Sequence, residues 1–450
     1  MTKKIYLLIF SLLCCYSVSL YSNNAKATTK VKTHSEVQSF VDSKLEWRNF
    51  FKSSKLISII DSALITNADI QQAMYQLEIA NNYYRMSKGA LYPSLNIGAS
   101  YSPTSGWLKS NPIMGNGVSF ISSWEIDLWG KLNSQKKAAK SRFLASEQSS
   151  RLIKTNLISE IAKAYYELVF FDEELRVTDK NINLQSNALE IVKVQKEAGK
   201  ATNLAVLQFE AQLLESKTKK FEIERKIIFY ENLINLLLNK AYQPIERDKD
   251  FTMDIKQQIE LKNIPSEYIT NRPDIVEANL QLHAAGFDVK AAQKAFFPSL
   301  MIQPNFGLIS DNPATILSPL AVSWGLFNSL TLPIFQNNVL KSYLNIRKAE
   351  QKQALINYKH KLYKAFAEVS ENIAKIESTQ NEIIILKNEV AVLDSAVSNS
   401  NDLYIYGYAS YLEVINTQKS VQETELKLIS IEKEHCHLWI DLFRSLGGGY

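Results

Sequence analysis

Two stretches of this 450-residue chain contain neither proline nor glycine over an unusual length. The first covers residues 131 to 198 and the second residues 336 to 406, which is 68 and 71 residues. Helices of globular proteins seldom exceed 25 residues, so these runs predict helices of coiled-coil length. At 1.5 Å per residue each would be roughly 100 Å long. Two such rods exclude an ordinary compact fold.

The first long run also carries a seven-residue apolar repeat. Ala164, Phe171 and Val192 occupy the interleaved positions, which Thr178 and Gln185 interrupt. This spacing predicts an a/d seam packed against a neighbouring helix. The residues at strict seven-residue intervals are Ile161, Leu168, Leu175, Ile182 and Leu189.

A glycine turn and a second segment without helix breakers follow each long run. These segments cover residues 204–243 and 411–446, and the turns at Gly199 and Gly407 align with each other. Two helices joined by a short turn form an antiparallel hairpin. The sequence therefore predicts two long helical hairpins.

The hairpins belong to a larger internal duplication of about 205 residues. Asp69 and Pro93 of the first copy correspond to Asp274 and Pro298 of the second, and both spacings are 24 residues. We therefore expect a first repeat at residues 28–241 and a second at 272–450, each with a helix, two strands and a hairpin. Residues 242–271, which carry prolines and mixed charge, predict a surface connector.

Before each long run the apolar period changes from helical to two. Alternation of this kind also occurs in a sandwich with one solvated face. A membrane barrel fits better, because the flanking helices are too long for a small sandwich and four strands cannot close a barrel without partner chains. Pro304 and Asn328 interrupt the pattern, which covers residues 94–102, 118–128, 300–308 and 320–332.

The N-terminus predicts export. Basic residues, an apolar run at 5–20 and the sequence Ala25-Lys26-Ala27 indicate a signal peptide at residues 1–27. A lipidated Cys14 or Cys15 is the alternative, although no small residue precedes Cys14. No later run has the roughly 20 apolar residues of a spanning helix, so membrane insertion would require strands.

Composition excludes several function classes. The formal net charge is +5, or +2 without the signal peptide, and no basic stripe typical of a nucleic-acid binder is present. Cys436 is the one cysteine after residue 27, which excludes an internal disulfide. The neighbouring His435 and His437 point in different directions on a helix, so we expect no metal site. We also expect no cofactor and no catalytic constellation.

Several motifs, taken in order, resemble the outer-membrane factor family of TolC-type exit ducts. The resemblance is closer to the branch that works with resistance-nodulation-division pumps, and it covers residues 47–450. The motifs are Trp47-Arg48-Asn49-Phe50-Phe51, Asn67-Ala68-Asp69-Ile70, Trp124-Glu125-Ile126-Asp127-Leu128-Trp129-Gly130-Lys131, Ile264-Pro265, Arg272-Pro273-Asp274-Ile275, Tyr404-Ile405-Tyr406-Gly407 and Leu446-Gly447-Gly448-Gly449-Tyr450.

The resemblance implies an α+β membrane protein that forms a homotrimer. Each chain would give four strands to a 12-stranded β-barrel in the bacterial outer membrane, continued through the periplasm by a long α-helical coiled-coil barrel. The implied partners are a periplasmic adaptor, an inner-membrane resistance-nodulation-division pump and outer-membrane lipid. The implied function is a passive exit duct for drugs or other toxic compounds, not an enzyme.

The resemblance also assigns roles at the periplasmic tip. Glu413 matches an acidic aperture position, although Ser410 to Glu413 also fits a capping box. Asn416 stands where some family members have a second acid, and Tyr404 would help to close the aperture. The expected adaptor-docking turns are marked by Gly199, Thr202, Gly407 and Ser410.

Two alternatives remain open at this point. The duct could serve an ATP-driven type I protein secretion system instead of an efflux pump. The chain could also be a pore-less coiled-coil adhesin or adaptor. The sequence does not identify the transported substrate.

Overall fold

A computed structural model describes residues 46–100, 116–248, 266–310 and 313–448 of the chain. The predicted signal peptide at residues 1–27, with the alternative lipidation sites Cys14 and Cys15, lies outside these residues. The middle of the predicted connector, 249–265, and the terminal residues 449–450 lie outside them as well.

Helices dominate the first half of the described chain, and two strands separate its short helices from its long ones. The long helix begins at Lys131, the last residue of the Trp124–Lys131 motif, and both carboxylate oxygens of Asp127 accept backbone N–H groups of its first turn at 3.0 and 2.8 Å. In chain order the elements are α1 (Trp47–Phe50), α2 (Ser54–Thr66), α3 (Ala68–Gly89), β1 (Ser94–Ser100), β2 (Asn116–Ile126), α4 (Lys131–Glu197) and α5 (Asn203–Leu237).

The second half repeats this order. Its short helix has 22 residues, its long helix 67 and its return helix 35, the same lengths as α3, α4 and α5. The boundaries of the two repeats stay a prediction. The elements are α6 (Ser266–Thr270), α7 (Pro273–Lys294), β3 (Ser299–Ser310), two 3₁₀ turns (Pro313–Thr315 and Pro319–Ala321), β4 (Val322–Thr331), α8 (Val339–Ile405) and α9 (Tyr411–Ser445).

Helix α4 is the centre of the helical part. It packs against α3, α5, α7 and α9, whereas α8 packs mainly against α7 and α9. The predicted seam needs one correction: Leu175 and Ile182 are only half-buried, while Thr178 and Gln185 are 0% and 2% exposed. Several partner helices surround α4, so its buried face is not the single apolar stripe of a two-helix coiled coil.

The strands form one antiparallel sheet in the order β1-β2-β3-β4. The register places Ile97, Phe120, Phe306 and Trp324 in one row across all four strands. The next row, on the opposite face, contains Gly98, Ser119, Gly307 and Ser323. The predicted alternation is therefore confirmed for most positions, with one apolar face and one face of mainly small or polar residues. Ile121, Met301 and Ile309 are apolar exceptions on the second face.

Pro304 and Asn328, the two positions that interrupt the predicted pattern, both lie within the sheet. Asn328 pairs with Ile302 on the apolar face, and Phe327 pairs with Gln303 on the small, polar face. The β2–β3 ladder is interrupted between Trp124 and Ile121, beside Pro304. Proline has no N–H to donate, which explains the gap.

Two predicted helix boundaries were wrong because asparagines adopt left-handed backbone angles. Helix α5 ends at Leu237 and not at 243, since Asn239 has a φ of 53°. Helix α8 begins at Val339 and not at 336, since Asn337 and Asn338 have φ values of 44° and 63°. None of the described helices combines the length and the hydropathy that a membrane-spanning helix requires.

The ends of the predicted surface connector belong to the core. Ile245 and Ile269 are 7% and 4% exposed, and Arg272, the first residue after the connector, is 6% exposed. The Arg272 guanidinium donates to Asp274 at 2.9 Å, to Glu368 at 3.0 Å and to the carbonyl of Ser445 at 3.0 Å. A buried arginine needs matched acceptors, so the Arg-Pro-Asp motif ties the start of α7 to α8 and to the end of α9.

We predict that Asn338→Gly stabilises the protein by about 0.5 kcal/mol, because glycine adopts a positive φ without the steric penalty of a Cβ. Thermal unfolding of the detergent-purified protein measures this. The matched control is Asn381→Gly in the interior of α8, which should lower stability slightly. A lower melting temperature for Asn338→Gly would contradict the prediction.

Candidate functional site

The two hairpin turns have the same backbone structure. Gly199 and Gly407 have φ values of 72° and 81°, which favour glycine. The N–H after each glycine donates to the carbonyl five residues earlier, from Lys200 to Gln195 at 2.8 Å and from Tyr408 to Leu403 at 2.8 Å. This is the Schellman arrangement, which satisfies the last carbonyls of α4 and α8.

The return helices start with side-chain caps at the predicted residues. The Thr202 hydroxyl accepts the N–H of Ala205 at 3.2 Å. The Ser410 N–H donates to the Glu413 carboxylate at 2.7 Å, so the capping function of Glu413 is present. Glu413 and Asn416 are both exposed and three residues apart, which places them on one face of α9.

A hydrogen bond between side chains joins the two hairpins near their turns. The half-buried Tyr404 hydroxyl donates to the amide oxygen of Gln195. Burial raises the pKa of Tyr404, so its hydroxyl stays protonated as a donor. Gln195 was not predicted from the sequence, because nothing in a single sequence indicates which residue of the first hairpin faces Tyr404.

An apolar cluster below this bond, which we name the tip cluster, also connects the hairpins. Tyr411 and Ile415 of α9 pack against it from the second hairpin. The predicted aperture and docking residues are thus brought to one end of the molecule. The cluster consists of Leu189, Val192, Ala205, Val206, Phe209 and Leu213.

The same end exposes aromatic and apolar side chains. Tyr406 and Tyr408 are 76% and 82% exposed, and Leu204 and Leu412 are 58% and 44% exposed. Large side chains of this type at a hairpin end are typical of a contact surface.

His435, in the sequence His435-Cys436-His437, has structural partners. Trp439 donates its indole N–H to His435 Nε2 at 3.1 Å, so His435 Nδ1 carries the proton and donates to the Thr379 hydroxyl at 2.7 Å. Burial lowers the pKa of His435 and raises the pKa of Cys436. Among the described residues, no three His, Cys, Asp or Glu side chains could hold a metal ion together.

Comparison with known families identifies the fold. A family model described as outer membrane efflux protein matches residues 59–237 and 264–448. The chain belongs to this family. The resemblance to outer-membrane factors drawn from the motifs is therefore confirmed.

Individual relatives match almost the whole chain. The cation efflux system protein CusC of Escherichia coli K12 is 26% identical over 406 residues, which cover 90% of this chain and 88% of CusC. The outer membrane protein OprJ of Pseudomonas aeruginosa is 27% identical over 423 residues, 90% of this chain and 86% of OprJ.

Solved structures agree with this family assignment. A crystal structure of CusC superimposes with a TM-score of 0.83 at 26% identity, covering 90% of this chain and 94% of that one. The outer membrane protein VceC of Vibrio cholerae, at 20% identity, has the same fold with a TM-score of 0.81, covering 90% of this chain and 98% of VceC. This efflux protein is located in the outer membrane and extends into the periplasm.

We predict that His435 makes the stability depend on pH below about 6.5. Burial lowers the pKa of His435 in the folded state, so the unfolded state binds more protons as the pH falls through 6.5, and folding stability falls by at most about 1.4 kcal/mol per pH unit, the slope of one proton. His435→Gln should reduce this slope in thermal unfolding between pH 7.5 and 5.5. His283→Gln, at an exposed position, is the control, and an unchanged slope in His435→Gln would contradict the prediction.

Proposed function

We propose that this chain is the outer-membrane subunit of a tripartite efflux pump and forms a passive trimeric exit duct. Energy would come from an inner-membrane resistance-nodulation-division pump, reached through a periplasmic adaptor. The family match over both halves of the chain carries this proposal. Surfaces that a single chain leaves open support the assembly.

The sheet supports assembly because its edges are β1 and β4. Unpaired strand edges cannot face lipid, and four strands are too few to close a barrel. Pairing of β4 with β1 of the next copy would close the sheet with its apolar face outward. Three copies, the number that the resemblance implies, give twelve strands.

The return helix α5 supports the same assembly. Its exposed side carries Leu207, Leu214, Phe221 and Ile228 at seven-residue intervals, and these residues are 54%, 57%, 62% and 50% exposed. An apolar stripe of this period requires a partner helix. We name these four residues the α5 stripe.

The internal repeat indicates which helices meet between copies. Within the chain α4 packs on α7, with Ala138 and Ala284 1% and 0% exposed. Their counterparts in the other repeat are Ile346 on α8 and Ile79 on α3, which are 54% and 49% exposed. We infer that α8 of one copy packs on α3 of the next, with larger side chains and a wider helix separation than α4 and α7 have.

The tip would then be the narrow periplasmic end of the duct. Three Glu413 carboxylates around it would attract cations, and Asn416 would make that ring less acidic than two acids per chain. Tyr404 and Gln195 would hold the two hairpins together when the end is closed. Both partners are uncharged, so this contact would not depend on pH or salt near neutrality.

The turns that contain Gly199, Thr202, Gly407 and Ser410 would dock the periplasmic adaptor. The exposed tyrosines beside the second turn support this, because tyrosine supplies large contact area at protein interfaces. Crosslinking of an adaptor at the barrel end instead of at the turns would contradict this assignment.

The duct itself would accept varied small molecules. Relatives of about equal identity carry names that mention cation efflux and toluene efflux, so similarity does not select a cargo. A duct for ATP-driven protein secretion is the remaining transport alternative. The efflux family match speaks against a pore-less adhesin.

The proposed function predicts a specific set of partners. In-cell crosslinking of the tagged protein, followed by mass spectrometry, should recover a periplasmic adaptor and a resistance-nodulation-division pump. The variant Leu214→Glu with Phe221→Glu places charges on the α5 stripe, so it should lose both the trimer and the partners. Lys219→Gln, on the opposite face of α5, is the control. Recovery of an ATP-driven exporter would reassign the duct to secretion.

We also predict that Tyr404→Phe increases single-channel conductance or open probability by roughly 2- to 10-fold. Loss of one hydrogen bond removes about 0.5–1.5 kcal/mol, and 1.4 kcal/mol corresponds to a factor of ten. Gln195→Leu should have the same effect, and the double variant should add little because both changes remove one bond. Tyr408→Phe, at a side chain that is 82% exposed, is the control. Unchanged currents in both single variants would refute the proposal that the Tyr404–Gln195 hydrogen bond holds the tip closed.

A further inference from the structure

A groove between α7 and α8, which we name the α7–α8 groove, lies far from the tip and has no role in the function proposed above. Its volume is about 560 Å³, and small-molecule sites typically have roughly 300 to 1,000 Å³. The lining is mainly apolar, with Leu282 and Phe287 on α7 and Leu355 on α8. The groove therefore has the size and the lining of a ligand site.

Gly286 keeps the space between the two helices open. A Cβ at this position would lie 3.4 Å from Nε2 of Gln351, so any longer side chain would project into the groove. Glycine is unfavourable in the interior of a helix, so helix stability does not explain its presence here.

The first repeat has no glycine at the corresponding place. The counterparts of Gly286 and Gln351 are Asn81 and Phe143, in helices of the same lengths. The ring of Phe143 stacks on that of Tyr84, with 6.3 Å between the ring centroids. Aromatic side chains can thus occupy the space between such a helix pair, and the fold does not require an open groove.

Lysine side chains add positive charge to the groove. Nζ of Lys137 and Nζ of Lys290 lie over the ring of Phe287, 6.0 and 5.3 Å from its centroid. Lys352 lines the groove from α8, and no acidic residue lines it. In the part of the chain that the structure describes, none of these three lysines forms an ion pair.

The acidic residues that neighbour the groove in sequence are paired with arginines. Asp288 of α7 pairs with Arg142, and Glu350 of α8 pairs with Arg347 at 2.7 Å. The charge of the groove lysines is therefore not neutralised by these carboxylates.

We propose that the α7–α8 groove binds an amphipathic anion, with its apolar chain or ring against Phe287 and its carboxylate or phosphate at Lys290 and Lys352. The apolar lining favours the chain, and the lysines form charge-assisted hydrogen bonds with the head group. A fatty acid and a lysophospholipid share this chemistry. The groove lies within one chain, whereas the proposed contact between copies lies between α8 and α3, so the site does not depend on the proposed function.

Native mass spectrometry of the detergent-purified protein tests the site with three probes of equal chain length. Laurate and lauroyl-lysophosphatidylglycerol carry anionic heads, and dodecylammonium carries a cationic one. We expect one anion per chain, bound at least about tenfold more tightly than dodecylammonium. Binding of laurate alone would support a free carboxylate as the ligand, and binding of the lysophospholipid alone would support a membrane lipid. Absence of binding by both anions, or equal binding of dodecylammonium, would overturn the proposal.

Variants of the groove locate the site. Lys290→Gln with Lys352→Gln should weaken anion binding at least about tenfold, because both charged partners of the head group are removed. Gly286→Leu should block the groove itself. Arg85→Gln with Lys359→Gln is the control, since it removes the same number of charges outside the groove and should leave binding unchanged.

Anion binding at the wild-type level in either groove variant would overturn the proposal, and so would an equal loss in the control. All variants should keep the partners recovered by in-cell crosslinking. A failure of anion binding would therefore leave the proposed function standing, whereas loss of these partners in the wild type would refute only that function.

Discussion

The burial of α4 by four neighbouring helices is the contact on which the rest of the fold depends. A helix of 67 residues has far more side-chain surface than one partner can cover. Near its start α4 meets α3 and α7, as the Tyr84–Phe143 stack and the Arg142–Asp288 ion pair show. Nearer the tip its partners are α5 and α9, with Lys180 paired to Glu425. Helix α4 therefore connects the sheet to the tip as one continuous element.

The duplication explains why a single chain leaves so much apolar surface open. Each repeat has a short helix and a long helix that can pack on their counterparts in another repeat. Within one chain the long helix α4 of the first repeat packs on the short helix α7 of the second, whereas the corresponding surfaces of α8 and α3 stay exposed. The small, buried Ala138 of α4 and Ala284 of α7 have larger, exposed counterparts in Ile346 of α8 and Ile79 of α3. The sheet edges β1 and β4 are likewise two surfaces that stay unpaired within one chain and would pair between copies in the proposed assembly. The proposed self-association would therefore follow from the repeat and would need no separate binding domain.

Much of this architecture could be predicted from the sequence, and the failures have physical causes. The helix lengths followed from the absence of proline and glycine, and the strand faces followed from the alternation of apolar and polar residues. The ends at Asn239 and Asn338 were missed because asparagine adopts positive φ values only in some contexts. The Tyr404–Gln195 contact and the burial of Gln185 were missed because both depend on how helices rotate against each other. A single sequence records the residues of each helix but not that rotation.

The equal lengths of the corresponding helices limit which insertions the chain can accept. One extra residue in α4, α5, α8 or α9 would move the following turn by about 1.5 Å and rotate every later side chain by about 100°. The two glycine turns would then lie at different heights along the helix axes. The contact between the hairpins near the turns, the Tyr404–Gln195 hydrogen bond, would be lost. Changes in length should therefore accumulate in the connections between strands, and a fluorescent tag or an affinity tag belongs there and not in the helices.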